Sequence, residues 1–375
     1  MKDLGIYIHI PFCIKKCYYC DFCSYPNSAE RRMEDYVDEL CRRIRDFAKG
    51  QTEKRKVGTV YFGGGTPTLL PPYCIGKIMR VIFESFELEK NIEITVECNP
   101  ASIDKNGLRA LREQGINRIS IGLQSANDGE LSALGRVHDY ADFKKTFSDA
   151  REVGFDNISV DLMYGIPEQT VDSFEHTLEE VISLSPEHIS AYGLKIEDGT
   201  AFGARIDELR LPDEDEEYVM YCLCEEKLSK NGYNRYEISN FSKRGYESKH
   251  NLRYWRLEDY IGFGVAAHSC IDGVRSGNSR DIEAFLCGKD ITEEREEITP
   301  TDRLNEFIML GLRLEDGLDL CEYERLSGKN FFDDRPSAKT FLEQGFLKQD
   351  GARLSFTTRG FFVSNSILCE ILSFE

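Results

Sequence analysis

The chain has 375 residues, a formal net charge of −19 at pH 7 and 41% hydrophobic residues. This length exceeds the size at which a single hydrophobic core stops growing, so we expect at least two domains. The acidic balance disfavours a broad surface that tracks phosphates, and we therefore expect no nucleic-acid partner.

Thirteen cysteines are spread over the chain, their number is odd, and no secretory signal peptide precedes them. This use of cysteine favours a reducing compartment over a secreted disulfide scaffold. No apolar run approaches the roughly 18 residues that a membrane-spanning helix needs. We expect a cytoplasmic protein whose contact with membranes is peripheral or made through a partner.

The first predicted element is a strand over residues 6–10, which ends at Pro11. Its isoleucines alternate with Tyr7 and His9, so the isoleucines share one face of the strand. The C-x3-C-x2-C motif that follows places three thiols in one loop, and its members are Cys13, Cys17 and Cys20.

Three thiolates this close can each ligate one iron of a [4Fe-4S] cluster and leave the fourth iron open to a small molecule. A zinc knuckle is the alternative interpretation. Zinc normally requires a second ligand pair at knuckle spacing, which is not evident in this sequence. Cys23 offers a fourth thiolate or is a neighbour with no ligand role.

An alternation of helices and strands follows the cysteine loop. Residues 28–49 have an apolar stripe at helical spacing, with Asn27 or Ser28 as the N-cap. Six strands with helices between them predict an α/β fold with parallel strands, arranged as a barrel or as an open doubly wound sheet. The further predicted strands are 57–62, 92–98, 118–124, 157–164 and 188–194, and the further helices are 102–114, 139–153 and 171–184.

Polar residues lie in or just after successive predicted strands, toward their C-terminal ends. In α/β folds this rim of the sheet is where ligands bind. One such residue taken alone could be a satisfied core group, but residues on five strands together predict a binding site. They are Gly63 to Gly65 with Thr66, Glu97 with Asn99, Gln124 with Ser125, Asp161, and Tyr192 with Gly193.

Three of these features have plausible chemical roles with structural alternatives. The glycines at 63–65 allow a backbone to approach a ligand and supply free N–H groups, or they form an ordinary tight turn. Glu97 accepts hydrogen bonds from ribose hydroxyls, or it caps the following helix. Arg136 pairs with a carboxylate, or it is a solvated helix charge.

The region 200–290 is predicted to extend the first domain. A helix opens at Pro212 and Asp213, where acids suit the positive end of the helix dipole, and stops at 230–232. His250 follows, in the run H-N-L-R-Y-W that holds the only tryptophan. Beside aromatic residues it could ligate and stack on a flat apolar ligand, although composition alone favours a structural histidine.

The pattern changes near residue 292, and we place the domain boundary between 1–290 and 291–375. Residues 301–312 predict a helix, a further helix closes at 341–345, and a hairpin forms around 349–351. With a last helix over 359–373, this arrangement is winged-helix-like. Since basic residues do not cluster there, we expect packing or partner docking in preference to DNA binding.

Five motifs together resemble the radical S-adenosylmethionine (SAM) superfamily, specifically its branch with oxygen-independent coproporphyrinogen III oxidase and the related haem chaperones. The resemblance covers the whole chain. The motifs are Y-I-H-I-P-F-C at 7–13, the cysteine triplet, G-G-G-T-P-T at 63–68, I-G-L-Q-S at 121–125 and D-L-M-Y-G-I-P at 161–167.

The resemblance implies a partial (β/α)6 TIM-like barrel followed by the winged-helix-like domain. It implies that Cys13, Cys17 and Cys20 hold a [4Fe-4S] cluster and that SAM chelates the open iron. The positions that match SAM contacts are Tyr7, Tyr19, Gly64, Gly65, Thr66, Glu97, Gln124, Arg136, Asp161 and Gly193, some of which serve a second SAM in the oxidase.

Three features favour the haem-chaperone branch over the oxidase. The oxidase has an N-terminal extension, whereas this chain begins almost at its first strand. The oxidase has its fourth cysteine in a C-x-C pair, whereas Cys23 occupies the variable place of the chaperones' C-D-F-x-S. His250 opens the H-N-x-x-Y-W signature that is associated with the chaperones.

We therefore expect a protein that holds haem, with the help of His250, and passes it to apo-haemoproteins such as membrane-associated respiratory enzymes. The cluster is expected to serve assembly or dimerisation, with a homodimer as an open alternative. The rival hypothesis is the oxidase itself, which decarboxylates coproporphyrinogen III oxidatively in porphyrin biosynthesis. The third hypothesis is a DNA-binding or interaction protein that uses the C-terminal domain.

Overall fold

The computed structural model describes residues 2–26, 28–51 and 55–372. The strands in these ranges are β1 (Lys2–Ile10), β2 (Phe12–Cys13), β3 (Tyr25–Pro26), β4 (Arg55–Gly64), β5 (Glu87–Cys98), β6 (Arg118–Gln124), β7 (Ile158–Tyr164), β8 (His188–Gly193), β9 (Asn234–Glu237), β10 (Asn240–Ser242), β11 (Tyr260–Phe263), β12 (His268–Ile271), β13 (Val274–Asn278), β14 (Thr292–Glu297), β15 (Leu318–Asp319), β16 (Leu347–Asp350) and β17 (Arg353–Phe356).

The helices begin and end as follows. They are α1 (Glu30–Gly50), α2 (Pro72–Ser85), α3 (Lys105–Glu113), α4 (Asp128–Ala133), α5 (Tyr140–Glu152), α6 (Val171–Leu184), α7 (Glu214–Lys230), α8 (Lys249–Trp255), α9 (Ile282–Leu286), α10 (Pro300–Leu312), α11 (Leu320–Ser327), α12 (Phe331–Asp334), α13 (Ser337–Glu343), α14 (Thr358–Phe362) and α15 (Ser364–Ile371). In the described part of the chain, no helix is both long and apolar enough to cross a bilayer.

A sheet of twelve strands forms the centre of the molecule, in the order β14-β13-β12-β11-β1-β4-β5-β6-β7-β8-β10-β9. Six strands lie side by side and parallel in the order β1, β4, β5, β6, β7, β8. Each of them is joined to the next through at least one helix. These are the six strands that the sequence predicts. The fold is the partial (β/α)6 barrel of the expected class. Beyond β1 the sheet continues through β11, which is parallel to β1, into the antiparallel strands β12 to β14, and beyond β8 it continues through the antiparallel strands β10 and β9.

Burial explains why these segments form strands and helices. Alternate residues of β1, among them Ile6, Ile8 and Ile10, are fully buried in the main core. Helix α1 buries Tyr36, Leu40 and Ile44 against the same core, at the spacing of one helical face. The helices therefore cover the sheet with the apolar stripes that the sequence predicts.

Residues beyond α10 form a smaller unit with a core of its own. A second cluster of buried side chains includes Ile308, Leu318, Leu354 and Phe361. The predicted hairpin is confirmed, since β16 and β17 pair antiparallel. A third strand, β15, completes a small sheet in the order β15-β17-β16.

Several predicted helix boundaries are wrong, and helix α3, for example, begins at Lys105 and not at residue 102. Helix α1 begins two residues later than expected, and its N-cap Ala29 makes no side-chain hydrogen bond. The Ser28 hydroxyl donates to the Tyr25 carbonyl instead, at 3.3 Å, and Asn27 lies outside the described residues. The turn before the helix therefore uses the hydroxyl that the prediction assigned to a cap.

The predicted last helix over 359–373 is two helices, divided at Val363, which has φ −101° and ψ 20°. Phe361 and Ile367 are both buried in the second core. Residues six apart lie on different faces of a continuous helix, so the change of direction lets both side chains reach one core. Residue 373 lies outside the described residues.

Candidate functional site

The cysteine loop hangs from the C-terminal end of β1 and is closed by a short parallel pairing of β2 with β3. Tyr18 ties it to the rest of the rim, since its N–H donates to the Leu134 carbonyl at 3.0 Å and its carbonyl accepts from the Phe202 N–H at 2.9 Å. The loop is thus held in place by main-chain hydrogen bonds to two distant segments.

The three thiols of the loop are half-buried and free. Burial raises the pKa of the Cys13 and Cys20 thiols, while a hydrogen bond from the Thr66 hydroxyl opposes this at Cys13. The Thr66 Oγ1 to Cys13 Sγ distance is 3.5 Å. A bound metal stabilises the thiolate form, so these thiols would lose their protons on binding iron.

Within the described residues, no three His, Cys, Asp or Glu side chains are grouped closely enough to hold a single metal ion. A cubane cluster does not need such a grouping, because each cysteine ligates a different iron. The nature of the donors, three soft thiols on one loop, suits iron in a cluster.

Arg136 lies directly beside the cysteine loop. Its Nη1 is 3.5 Å from Cys17 Sγ, and its Nη2 donates to Asn99 Oδ1 and to the Gly122 carbonyl, each at 2.8 Å. Its buried Nε has no hydrogen-bond partner among the described residues. The alternative of a solvated helix charge is therefore wrong, and an unused donor beside the thiols fits an acidic group of a bound ligand.

The glycine turn after β4 packs against the chain that enters the cysteine loop. A Cβ on Gly65 would lie 2.7 Å from the Phe12 carbonyl oxygen, so only glycine fits there. Gly64 has φ +111°, in the left-handed region that glycine favours. A close approach at Gly65 is therefore present, but it is made by the chain's own main chain, whereas the prediction from sequence assigned it to a ligand.

The expectation that the glycines at 63–65 supply free N–H groups is wrong for Gly64 and Gly65. The Gly65 N–H donates to the Ile10 carbonyl at 2.8 Å, and the Thr66 N–H to the Phe12 carbonyl at 2.7 Å. The Gly64 N–H donates to Glu97 Oε2 at 3.1 Å. The turn thus fixes the cysteine loop and Glu97 through its main chain.

Glu97, near the end of β5, points toward the interior of the barrel. Its Oε1 accepts from the Tyr61 hydroxyl at 2.9 Å. Burial raises the pKa of Glu97 to about 7, against the hydrogen bond from Tyr61 and with a further contribution from Asp161. Helix α3 has Asp104 as its N-cap, so the alternative that Glu97 caps this helix is wrong.

Asp161 occupies the middle of β7 and accepts from the Ser120 hydroxyl at 3.1 Å. Burial raises the pKa of Asp161, while hydrogen bonds from serines oppose this shift. Ser159 connects it to His188, since the Ser159 Oγ to His188 Nδ1 distance is 2.8 Å. A chain of polar groups therefore crosses the barrel interior behind the rim.

The remaining predicted SAM contacts complete the rim. Gln124 ends β6 with φ +74°, a left-handed conformation that is strained for a residue with a side chain. Tyr19 packs against the small cluster that contains Leu134 and Met163. Gly193 ends β8, where a Cβ would lie 3.1 Å from the Tyr164 ring. Gln124 and Gly193 end their strands at the rim that holds the cysteine loop, as predicted from their place in the sequence, whereas Tyr19 lies in the loop itself.

His250 lies on α8 at the barrel wall and is 1% exposed. Its Nδ1 is 2.8 Å from Thr59 Oγ1, and its Nε2 is 2.8 Å from the Tyr254 hydroxyl. Its ring stacks on Tyr61 with centroids 5.1 Å apart. Burial lowers the pKa of His250 to about 3, so the imidazole is neutral and uses both nitrogens inside the protein.

Sequence reasoning missed three residues of this site. His138 contacts Asn99 Oδ1 at 3.0 Å through Nδ1, which orients the amide that Arg136 uses. Tyr61 and the 2% exposed Arg118 lie in the barrel interior near Glu97. Side chains alternate between the two faces of a strand, and this alternation along β4 and β6 could have placed Tyr61 and Arg118 in the barrel interior. The contact of His138 with Asn99 depends on the fold and has no such signal in the sequence.

The comparisons with known proteins agree with this geometry. A model of the Radical SAM superfamily matches residues 7–181, and a model of the HemN C-terminal domain matches residues 298–363. The chain is similar to the heme chaperone HemW of Bacillus subtilis (strain 168), with 36% identity over 96% of this chain and 97% of that protein.

Heme chaperone HemW of Escherichia coli (strain K12) is 34% identical over 98% of both chains. Among solved structures, the radical SAM enzyme coproporphyrinogen III oxidase (HemN) from Escherichia coli superimposes with a TM-score of 0.85. That likeness covers 99% of this chain and 90% of the other at 24% identity, and it shows a shared fold.

Proposed function

The chain belongs to the radical SAM superfamily and, within it, to the family of the heme chaperone HemW, and we propose that it binds haem and delivers it to apo-haemoproteins. The observation that carries this proposal is the full-length similarity to HemW proteins, 36% over 96% of the chain. The H-N-x-x-Y-W run at 250–255 supports the same branch.

The superfamily implies a [4Fe-4S] cluster and SAM, and the residues of the rim fit both. Cys13, Cys17 and Cys20 would ligate the cluster, which when bound offers an open iron position to SAM. Arg136 supplies a guanidinium donor beside Cys17 for a carboxylate. Glu97 and Asp161 supply acceptors from the neighbouring strands for amino and hydroxyl groups.

The remaining proposed contacts shape this site. Gly64, Gly65 and Thr66 hold the turn against the cysteine loop through their N–H groups. Tyr7, Tyr19, Gln124 and Gly193 border the space between the loop and the strand ends. We propose that Cys23 is a neighbour of the cluster, and iron that persists in a Cys20→Ala variant would instead support a ligand role.

We propose that His250 helps to hold haem through Tyr254. The two side chains are hydrogen-bonded at 2.8 Å, and Tyr254 reaches a cavity beside the cysteine loop that His250 does not line. The proposed recipients are apo-haemoproteins such as respiratory enzymes at the membrane, reached from the cytoplasm. The cluster would serve assembly of the protein or of a homodimer.

The proposal is tested by titrating the purified protein with haem and following the Soret absorbance. We expect saturable binding by the wild type. We expect weaker binding by His250→Ala, because Tyr254 loses its hydrogen-bond partner. Tyr254→Phe removes only the hydroxyl and tests the same hydrogen bond if His250→Ala folds poorly. Tyr73→Phe, which removes the hydroxyl of an exposed tyrosine, is the matched control.

Absence of saturable binding would refute the chaperone function. Binding that neither His250→Ala nor Tyr254→Phe changes would refute the role of His250. An anaerobic assay with reconstituted cluster, SAM and coproporphyrinogen III separates the rival function, since formation of the decarboxylated product identifies the oxidase.

A further inference from the structure

A cavity of about 520 Å³ lies between the cysteine loop and the antiparallel strands β11 to β14. Its volume is in the range of small-molecule sites in proteins. Phe22 and Cys23 line it from the cysteine loop, and Tyr254, Tyr260 and His268 line it from the opposite side. Of the residues proposed to contact SAM, Tyr7 lines this cavity as well, so the two spaces adjoin.

His268 stands apart from the other histidines because its imidazole is available. The chain has six histidines, and all of them lie in the described residues. Four are buried with both ring nitrogens in hydrogen bonds, namely His9, His138, His188 and His250. Of the two exposed histidines, His176 lies on α6, whereas His268 lines the cavity.

The sheet supports His268 from behind. His268 on β12 pairs with Gly277 on β13, which in turn pairs with Glu294 on β14. A Cβ on Gly277 would lie 3.0 Å from His268 Nδ1 and 3.3 Å from Glu294 Oε2, so both side chains lie over this glycine on the same face of the sheet.

The walls of the cavity suit a flat apolar ligand. Phe22, two residues after the last cysteine of the motif, is 69% exposed, so its ring is open to the cavity that it lines. Across the cavity, the rings of Tyr254 and Tyr260 pack edge to face with centroids 4.7 Å apart. Aromatic groups therefore face the cavity from two sides.

One basic group lies at the rim among acidic ones. Arg280 lines the cavity together with Asp21, Glu293 and Glu294. Arg280 Nη2 and Asp21 Oδ2 are 3.4 Å apart, and 62% of the arginine side chain is exposed. Since carboxylates repel other carboxylates, a ligand with acidic groups would direct them to Arg280.

We infer that this cavity is the haem-binding site, that His268 is the protein ligand of the haem iron and that Arg280 pairs with a haem propionate. The inference rests on the proposed haem-carrier function and adds the site. His250 then acts as a positioning residue, since it holds the Tyr254 hydroxyl at the edge of this cavity. The porphyrin would occupy the space between His268 and Phe22, which line the cavity from opposite sides.

The test compares two porphyrins, ferric haem and metal-free protoporphyrin IX, on the full chain. We expect His268→Ala to weaken haem binding about tenfold or more, because the iron loses its imidazole. Binding of the metal-free porphyrin, followed by its fluorescence, should not change, since it has no metal to ligate. We expect His268→Cys to keep haem with a shifted Soret band, because a thiolate replaces the imidazole.

His176→Ala is the matched control, since it removes the other exposed imidazole and should leave both affinities unchanged. If wild-type protein binds haem and His268→Ala binds it equally with the same Soret band, the inference is refuted while the chaperone function stands. Equal loss of both porphyrins in His268→Ala refutes iron ligation. Failure of the wild type to bind haem refutes the proposed function together with this inference.

Discussion

Glu97 is a buried carboxyl group of the rim, and its pKa differs between the folded and the unfolded protein. Its carboxylate accepts from Tyr61 and Gly64, yet burial outweighs these bonds and raises its pKa to about 7 from an ordinary 4.5. The folded protein therefore keeps a proton that the unfolded chain releases between these two pH values. A basic group of a ligand would stabilise the charged carboxylate and reverse this shift.

We predict that Glu97→Gln reduces the pH dependence of stability. In the wild type the unfolded state binds fewer protons between pH 4.5 and pH 7, so the contribution of Glu97 to stability falls as pH rises through this window. The loss should be about 1 to 3 kcal/mol, and it should be absent in the glutamine variant. Urea unfolding at pH 5 and pH 8 measures it.

The control for this prediction is Glu84→Gln, on an exposed residue of α2. An unfolding free energy that changes with pH equally in Glu97→Gln and in the wild type would contradict the prediction.

Among the structural elements, the glycine turn after β4 fixes the position of the cysteine loop. Its main chain bonds to Ile10 and Phe12, the residues that lead into Cys13. The sequence predicts β4 and a close approach at the glycines, because both depend on local patterns. It could not predict where the N–H groups go, since their partners lie about 50 residues earlier in the chain.

We predict that Gly65→Ala destabilises the protein by about 1 to 3 kcal/mol, as overpacking against rigid neighbours does. The added Cβ would lie 2.7 Å from a main-chain carbonyl, which cannot rotate away as a side chain can. Because the strain falls next to Cys13, less iron should be retained after anaerobic reconstitution. Thermal unfolding and iron content measure the two effects.

Gly50→Ala is the matched control, since nothing lies within 4 Å of a Cβ at that position. If Gly65→Ala and Gly50→Ala are equally stable and hold equal iron, the turn does not position the loop.

Local pattern explains which elements the sequence predicts and which it does not. The six parallel strands are runs of buried β-branched residues, and they form where predicted. The added strands from β9 to β13 have three to five residues each, too short for a period to show. The division at Val363 depends on tertiary contacts in the second core, whereas the late start of α1 follows a local hydrogen bond from Ser28 to Tyr25.

At the scale of the whole molecule, Arg235 joins the smaller C-terminal unit to the barrel. Its side chain is 4% exposed and forms ion pairs with Glu225 at 3.1 Å and Glu315 at 3.0 Å. Its guanidinium also lies 4.2 Å from the centre of the Phe361 ring. Since Glu315 and Phe361 belong to the C-terminal unit, one side chain links the two cores.

We predict that Arg235→Met costs about 3 kcal/mol, because it leaves two carboxylates without their buried partner. The smaller unit should then separate from the barrel first, and the link near residue 298 should become sensitive to protease. Lys230→Met, which removes an exposed ion pair, should have little effect. A single unfolding transition at the wild-type temperature in Arg235→Met would contradict this prediction.

Some features of the site follow from the local sequence, and others depend on tertiary contacts. The position of the candidate residues on the rim follows from their place after successive strands, which the sequence reveals. The environment of His250 does not, because Thr59 and Glu93, which bond to it, come from distant strands. Likewise, only the fold places His268 against a cavity.

The two ends of the twelve-stranded sheet differ in how they meet other chains. The edge of β9 is occupied, since Glu237 forms a β-bridge with Leu314 of the C-terminal unit. The edge of β14 is exposed and reads T-E-E-R-E-E. Two copies that joined through this edge would align rows of glutamates, and such repulsion protects open edges from aggregation. We therefore expect that a homodimer of this protein would not form through β14.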